Sequence, residues 1–135
     1  MFLVRALALC ACAGLTAAAT APVLTYSTYL RDAFTPTAIA MDSAGNVYLA
    51  GSAVIDPVTQ AKVGFVAKLN PPTGEYLYQS ILNGQTQVVN AMVLDAAGNA
   101  YVAGTDSIQG TQQSFVAKID SNGDILFLTP LGGSH

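Results

Sequence analysis

The sequence predicts an all-β fold built from two four-stranded antiparallel sheets. Three observations lead to that prediction. Two copies of one sequence unit follow each other in the 135-residue chain. Short segments rich in Tyr, Val, Thr, Ile and Phe alternate with turns that contain Asp and Gly, as strands and hairpins do. No segment carries an apolar stripe at the spacing of an amphipathic helix.

The repeat is clearest in three motifs. Asp42-Ser-Ala-Gly-Asn-Val-Tyr-Leu-Ala-Gly51 recurs 53 residues later from Asp95 to Gly104, with seven of ten positions identical. Phe65-Val-Ala-Lys-Leu69 recurs 50 residues later as Phe115-Val-Ala-Lys-Ile119. An upstream motif occurs three times, as Tyr26-Ser-Thr-Tyr-Leu30, Tyr78-Gln-Ser-Ile-Leu82 and Phe127-Leu-Thr-Pro-Leu131. We therefore divide the chain into repeat 1 (24–75), repeat 2 (76–124) and the start of a third repeat (125–135).

Each repeat contains four segments of strand type separated by turn residues. In repeat 1 the predicted strands are Leu24–Leu30, Ala38–Met41, Val47–Gly51 and Gly64–Leu69. Asp binds its own backbone and Gly supplies positive φ in turns, which predicts turns at 42–46, 70–74, 95–99 and 120–124. Four short antiparallel strands per unit of this length are typical of a β-propeller blade.

Several predicted strands are apolar on both faces. Ala91-Met92-Val93-Leu94 is a continuous apolar run, and so is Ile39-Ala40-Met41. A strand with one face in water would alternate between apolar and polar residues. We therefore expect the sheets to stack face to face. The high hydrophobic content of 52% and low charged content of 10% also exclude a disordered chain.

These motifs resemble the bacterial SBBP-type β-propeller repeat. Its opening Tyr-Ser-Thr-Tyr-Leu, its Asp-x-x-Gly-Asn-x-Tyr-Val-x-Gly and its Phe-Val-Ala-Lys-Leu all have counterparts here, in the same order. Leu131-Gly-Gly-Ser134 resembles the family's opening motif as well, whereas Arg31-Asp32 and Asn83-Gly84 depart from it. The resemblance implies an extracellular or periplasmic propeller of bacterial type, and it implies no reaction. A second propeller repeat class, the NHL type, is a weaker match.

The N-terminus has the composition of a secretory signal peptide spanning residues 1–19. Arg5 gives a positive start, a short apolar run follows, and Ala17-Ala18-Ala19 offers an Ala-x-Ala cleavage site. Both cysteines, Cys10 and Cys12, lie in this segment, so the mature chain would have no disulfide, thiol ligand or thiol nucleophile. A lipoprotein anchor at Cys12 is a less favoured alternative. The predicted location is outside the cytoplasm: extracellular, cell-surface or periplasmic.

Charge limits the classes of partner. After Arg5 is removed, four basic residues face eight acidic ones. Because no basic stripe exists, phosphate neutralisation gives no basis for binding nucleic acid, and anionic membrane surfaces are disfavoured. We also expect no membrane insertion of the mature chain and no cofactor.

No residue cluster specifies a reaction, and we assign no catalytic, cofactor, metal or ligand residues. A general base needs a rigid site, which a last residue such as His135 rarely has, so we expect no catalytic role for it. Asp120-Ser-Asn-Gly-Asp124 resembles a calcium loop but lacks a distal bidentate Glu, so we interpret it as a turn. We interpret the matched Lys68 and Lys118 as solvated strand-end or edge residues. We expect the matched Tyr48 and Tyr101 to pack in the sheets with bonded hydroxyls.

Two repeats fall short of the four to eight blades of a typical propeller. A truncated or longer array, self-assembly into a ring and a two-sheet sandwich are three ways to complete the fold. The predicted function is a non-enzymatic binding or structural module of unknown ligand. The alternative is a remnant of a propeller hydrolase or lyase whose catalytic blades are missing.

Overall fold

The computed structural model describes Ser27, residues 34–83 and residues 87–132, and every regular element in these residues is a β-strand. The predicted signal peptide, the strand predicted at Leu24–Leu30 (apart from Ser27) and His135 lie outside the described residues. The eight strands are β1 (Phe34–Met41), β2 (Val47–Asp56), β3 (Ala61–Asn70), β4 (Glu75–Ile81), β5 (Val88–Leu94), β6 (Ala100–Ile108), β7 (Thr111–Ile119) and β8 (Ile125–Leu131).

The strands form two antiparallel sheets, which confirms the predicted fold class. The first sheet has the order β1-β2-β3-β4 and the second the order β5-β6-β7-β8, so each strand pairs with its neighbour in sequence. The two sheets also share one register. Tyr48 pairs with Lys68 and Lys68 with Tyr78 in the first sheet; the corresponding pairs in the second link Tyr101, Lys118 and Phe127.

The fourth strand of each sheet comes from the start of the next sequence repeat. β4 contains most of the motif Tyr78–Leu82, which opens repeat 2, and the predicted start of a third repeat forms β8. The repeat boundary placed after residue 75 therefore falls just inside β4 and not between the two sheets. The sheets themselves span residues 34–81 and 88–131.

Asp side chains close the first hairpin of each sheet. Asp42 Oδ1 accepts hydrogen bonds from the backbone N–H groups of Ala44 and Asn46, at 3.0 and 2.9 Å. Gly45 follows in the left-handed region at φ 87°, where a Cβ would be strained. The Asp95 turn repeats this pattern through Ala97 and Asn99. These turns were predicted from the sequence and are confirmed.

A β-bulge interrupts the first strand of each sheet at matched positions, between Pro36 and Ala38 and between Val89 and Ala91. The bulge brings one strand very close to its neighbour. A Cβ on Gly51 would lie 2.1 Å from the Thr35 carbonyl oxygen, and one on Gly104 would lie 2.1 Å from the Val88 carbonyl oxygen. Only glycine fits at these two positions.

The two sheets stack face to face, as the doubly apolar strands predicted. β5 of the second sheet contacts β1, β2 and β3 of the first. One buried cluster spans both sheets, and its fully buried members contribute roughly 1.5–3 kcal/mol each when they are Val or Leu. The cluster consists of Tyr48, Ala50, Val66, Leu82, Val89, Ala100, Val102, Phe115, Ala117 and Ile119.

The linker between the sheets is held against β3. The Leu82 N–H donates to the Gly64 carbonyl at 2.8 Å, and the Gln87 N–H donates to the Lys62 carbonyl at 3.1 Å. A Cβ on Gly64 would lie 2.9 Å from Leu82 Cδ1. The linker thereby fixes where the second sheet starts relative to the first.

Candidate functional site

The two faces of each sheet are chemically distinct, and the stacking uses one of each. We define the front face of the first sheet by Ala38, Ala40, Tyr48, Ala50 and Val66, which pack toward the second sheet. We define the back face of the second sheet by Met92, Leu94, Val102, Ala117 and Ile119, which pack toward the first. The sheets therefore stack front to back, so that equivalent faces of the two sheets point the same way.

Three side chains of the first sheet tie it to backbone carbonyls of the second. The Tyr48 hydroxyl donates to the Gly98 carbonyl at 3.1 Å. The Thr37 hydroxyl donates to the Val89 carbonyl, and the Ser80 hydroxyl to the Gly123 carbonyl. Because each donor sits on a different strand of the first sheet, the three bonds fix both the position and the rotation of the second sheet.

The front face of the second sheet repeats the front face of the first, but none of the described strands covers it. Ala91 and Ala103 are exposed, Val93 is 64% exposed, and Tyr101 and Val116 are half-buried. We call the interface between the two stacked sheets the seam. The counterparts of Tyr101, Ala103 and Val116 at the seam are Tyr48, Ala50 and Val66, which are all 0% exposed. A groove of about 220 Å³ lies on this exposed face and is lined by Ala91, Val93, Tyr101, Ala103 and Val116, among others.

The exposed face also keeps the three polar positions of the seam. Tyr101 stands where Tyr48 stands, Asn90 where Thr37 stands, and Thr129 where Ser80 stands. All three carry hydrogen-bond donors. Asn90 and Thr129 are exposed. The second sheet therefore presents the same combination of apolar surface and donors that binds a sheet inside this chain.

An Asp–Tyr–Lys cluster braces the front face of each sheet. In the first sheet, Lys68 Nζ lies 3.5 Å from Asp42 Oδ2 and 5.0 Å from the centre of the Tyr48 ring. Burial raises the pKa of Asp42, but hydrogen bonds from Asn46 and the Lys68 ammonium together hold it below the ordinary value of 3.8. The Tyr48 hydroxyl, 3.4 Å from Asp42 Oδ2, connects the cluster to the seam.

The second sheet has the same cluster. Lys118 Nζ lies 4.9 Å from the centre of the Tyr101 ring, and the Tyr101 hydroxyl donates to Asp95 Oδ2 at 3.3 Å. Hydrogen bonds from Asn99 hold the pKa of Asp95 below its ordinary value of 3.8. The cluster thus forms in each sheet whether or not a second sheet covers it, and it orients the tyrosine for stacking.

These contacts decide the sequence-based interpretations of the matched residues. Lys68 and Lys118 lie near the ends of β3 and β7, as one of the two predicted alternatives had it. The other alternative, an edge-strand residue, is wrong, because β3 and β7 are interior strands and both ammonium groups lie over a tyrosine ring. The prediction that Tyr48 packs with a bonded hydroxyl is confirmed. Asp120 lies in a turn, as predicted, with its Oδ1 accepting from the Asn122 and Asp124 N–H groups.

The back face of the first sheet is partly exposed. Ile39 and Met41 on β1 are 71% and 66% exposed, and they match Met92 and Leu94, which pack at the seam. Farther across this face lies a second buried cluster, in which the Phe34 and Phe65 rings are 4.7 Å apart. The buried members of this cluster are Ala53, Val63, Phe65, Ala67 and Leu69.

The sequence reasoning missed one feature, a cleft of about 280 Å³ at the end of the second sheet next to the linker. Buried Asp106 lines this cleft, and its Oδ2 accepts a hydrogen bond from buried Gln87 at 3.2 Å. Asp106 stands at the position that Ala53 holds in the first sheet. A break in the repeat from apolar to charged was therefore the signal available in the sequence.

Comparison with protein-family models and with curated proteins finds no match to this chain. Across the described ranges, no helix is long and apolar enough to cross a membrane. The same ranges hold no group of three or more His, Cys, Asp or Glu side chains placed to bind a metal ion.

Proposed function

We propose that this chain is an exported, non-enzymatic repeat module that binds a further four-stranded sheet of its own kind. The partner is a second copy of the chain. The observation that carries the proposal is the exposed front face of the second sheet, which repeats the residues and register of the front face already covered inside the molecule. The signal-type N-terminus and the resemblance to SBBP propeller repeats support export and a propeller-like assembly.

The front face of the second sheet supplies one half of the contact. Its Tyr101, Ala103 and Val116 match residues that are fully buried at the internal seam, and its Ala91 and Val93 match partly buried ones, so covering this face gains hydrophobic stabilisation. Asn90, Tyr101 and Thr129 match the three donors of that seam. An apolar surface that also carries aligned donors favours a partner with backbone carbonyls in matching places.

The first sheet of a second copy supplies the other half. Its Ile39 and Met41 are exposed where Met92 and Leu94 fill the internal seam. Gly45 matches Gly98, whose carbonyl accepts the bond from Tyr48. A Cβ on Gly98 would lie 3.2 Å from the Tyr48 hydroxyl, whereas one on Gly45 would have nothing within 4 Å. The Gly45 turn is therefore open to a tyrosine from another chain.

This contact is head-to-tail, because it joins a front face to a back face. Such contacts close into a ring when the rotation between units fits and otherwise grow into open chains. Propellers have about four to eight blades, so a closed ring built from this two-sheet chain would hold about two to four copies.

The first experiment measures the mass of the purified chain by light scattering on a sizing column, as a function of concentration. The proposal expects a discrete assembly of about two to four chains. Ala103→Asp places a charge in the middle of the exposed front face and should convert the assembly to monomers. Val58→Asp makes the same kind of change at a side chain that is 89% exposed in the β2–β3 turn, and it should have no effect.

A mixing experiment tests the head-to-tail geometry. Ile39→Asp disables the back face of the first sheet and leaves the front face of the second sheet intact; Ala103→Asp does the reverse. Each variant alone should be monomeric, and an equal mixture should form heterodimers that stop there, because only one productive pair of surfaces remains. Association of the Ile39→Asp variant with itself would overturn the head-to-tail contact, and a monomeric unmodified chain would overturn self-association.

A further inference from the structure

The cleft beside the linker contains a buried carboxylate that the stacking does not use. Its polar lining is Asn83, Asp106 and Gln113, and its apolar lining includes Ile108, Leu128 and Pro130. Asp106 is 7% exposed and Gln87 is 0% exposed. The Gln87 amide donates to Asp106 Oδ2 at 3.2 Å and so holds the carboxylate in one orientation.

The hydrogen bonding of this pair is incomplete. Within the described part of the chain, Asp106 Oδ1 and Gln87 Oε1 are buried and have no hydrogen-bond partner. The ion pair found in that part joins Lys68 to Asp42, far from this cleft in sequence. A buried carboxylate without a cation or a full set of donors is costly. The site therefore has an unmet requirement for positive charge and for hydrogen-bond donors.

The first sheet shows that the fold does not require this polar group. At the matched positions it carries Phe34, Ala53 and Val63, which pack in the second buried cluster. The second sheet carries Gln87, Asp106 and Gln113 instead. Three apolar residues therefore suit this position in one sheet, while three polar residues replace them in the other. The exchange creates acceptors at the edge of a cleft that is otherwise largely apolar.

We propose that this cleft binds a small organic ammonium ion. The ammonium group donates to Asp106 Oδ1, which the Gln87 amide positions, and the alkyl part lies against Ile108, Leu128 and Pro130. An ammonium group has one positive charge and several N–H donors, which matches a single carboxylate with an unused oxygen. Ca²⁺ takes six to eight oxygen ligands, and one carboxylate with nearby amides fits it poorly. A neutral polyol would leave the charge uncompensated.

The experiment titrates the full chain with n-butylammonium chloride and follows the backbone and side-chain amide signals by ¹⁵N NMR. The proposal expects saturable shifts at Gln87, Asp106 and Gln113. Asp106→Asn, which keeps the shape and removes the charge, should weaken binding by at least tenfold. Asp124→Asn makes the same chemical change at an exposed position of the β7–β8 turn and should leave the affinity unchanged.

Two further comparisons keep the proposal falsifiable. Tetramethylammonium has the charge but no N–H donor, and butan-1-ol has the alkyl chain but no charge, so both should bind at least tenfold more weakly than n-butylammonium. Gln87→Leu with Asp106→Leu fills the site with apolar side chains and should fold without binding. Equal affinity of the original chain and Asp106→Asn would overturn the proposal, as would equal affinity of the original chain for n-butylammonium and butan-1-ol. Because these tests do not depend on association, they stand apart from those of the stacking proposal.

Discussion

The two sheets are a natural comparison, because one sequence pattern is seen in two environments. Tyr48, Ala50 and Val66 are completely buried, whereas Ala103 at the position of Ala50 is exposed in the second sheet. The bulge of the first strand, its register with the second strand and the first hairpin turn are the same in both sheets, whereas the β2–β3 turn is longer than the β6–β7 turn. The difference in burial therefore comes from what lies next to each sheet and not from how each sheet folds. The repeat encodes a pair of complementary faces, and within the described ranges one front face has no covering sheet.

A second difference between the two sheets comes from the sequence itself, because the residues at matched positions are not the same. Phe34, Ala53 and Val63 pack as an apolar cluster in the first sheet, and Gln87 with Asp106 occupies the corresponding place in the second. Shared residues of the repeat maintain the architecture; departures from it identify where the second sheet has acquired its own chemistry. The stacking proposal depends on the shared residues, and the ammonium site depends on the departures.

The largest expected effect on stability comes from substituting the matched tyrosines, Tyr48 and Tyr101. Tyr48→Ala removes a fully buried ring and its bond to Gly98, and we expect it to lower the free energy of unfolding by about 4 kcal/mol. Tyr101→Ala removes a half-buried ring and should cost about 1 kcal/mol in a monomeric background such as Ile39→Asp. Urea unfolding measures both values. Equal losses in that background would mean that Tyr101 is already covered within one chain.

The next effect tests the equivalence of the two bulges. Gly51→Ala and Gly104→Ala each place a Cβ 2.1 Å from a backbone carbonyl oxygen, so the strand must move. We expect each substitution to lower the free energy of unfolding by about 3 kcal/mol. Gly132→Ala is the control, because a Cβ there meets nothing within 4 Å. A large loss at one bulge and none at the other would contradict their structural equivalence.

Much of this architecture could be predicted from the sequence, because turns and strand register depend on residues that are close together in the chain. The Asp42 and Asp95 turns follow from side chains that bond their own backbone. The strand that begins each sheet could not be predicted, because a repeating sequence can be divided into units at any position. β4 pairs with β3 through the turn at Asn70–Gly74. This pairing determines which four strands form one sheet, and no boundary in the sequence indicates it.

The roles of single charged side chains were harder to predict. Lys68 has the sequence context of an edge residue, and only the order of the strands shows that it lies in the interior of a sheet. Asp106 stands directly before residues 107–114, which differ in length and sequence from their counterparts in repeat 1, so a polar residue there suggests a loop. Its burial depends on the linker residue Gln87, whose place against β3 is a tertiary contact that local sequence does not encode.

A smaller effect, an increase in the free energy of unfolding, tests the second difference between the sheets. Gln87→Leu with Asp106→Leu replaces a buried, incompletely bonded pair by apolar side chains, as in the first sheet. We expect the free energy of unfolding to rise by about 1 kcal/mol, because buried unsatisfied polar groups are each costly. Asp106→Leu alone leaves the Gln87 amide without its acceptor and should be less stable than the double variant. A double variant that is strongly destabilised would indicate that the polar pair supports the fold.

The smallest effect concerns the acid dependence of the two matched Asp turns. The pKa values of Asp42 and Asp95 both lie below 3.8 in the folded chain, so the unfolded chain binds more protons as the pH falls below about 4. Their stabilisation is therefore fully present above that pH and is lost as the pH falls through the folded-state values. Urea unfolding between about pH 6 and pH 2 should show this loss, and Asp42→Asn and Asp95→Asn should each reduce its slope.

Asp42 also pairs with Lys68 at 3.5 Å, so high salt should weaken the contribution of Asp42 more than that of Asp95. Equal salt dependence of the two variants would mean that the ion pair beneath the seam contributes nothing, and that the turn hydrogen bonds alone lower both pKa values.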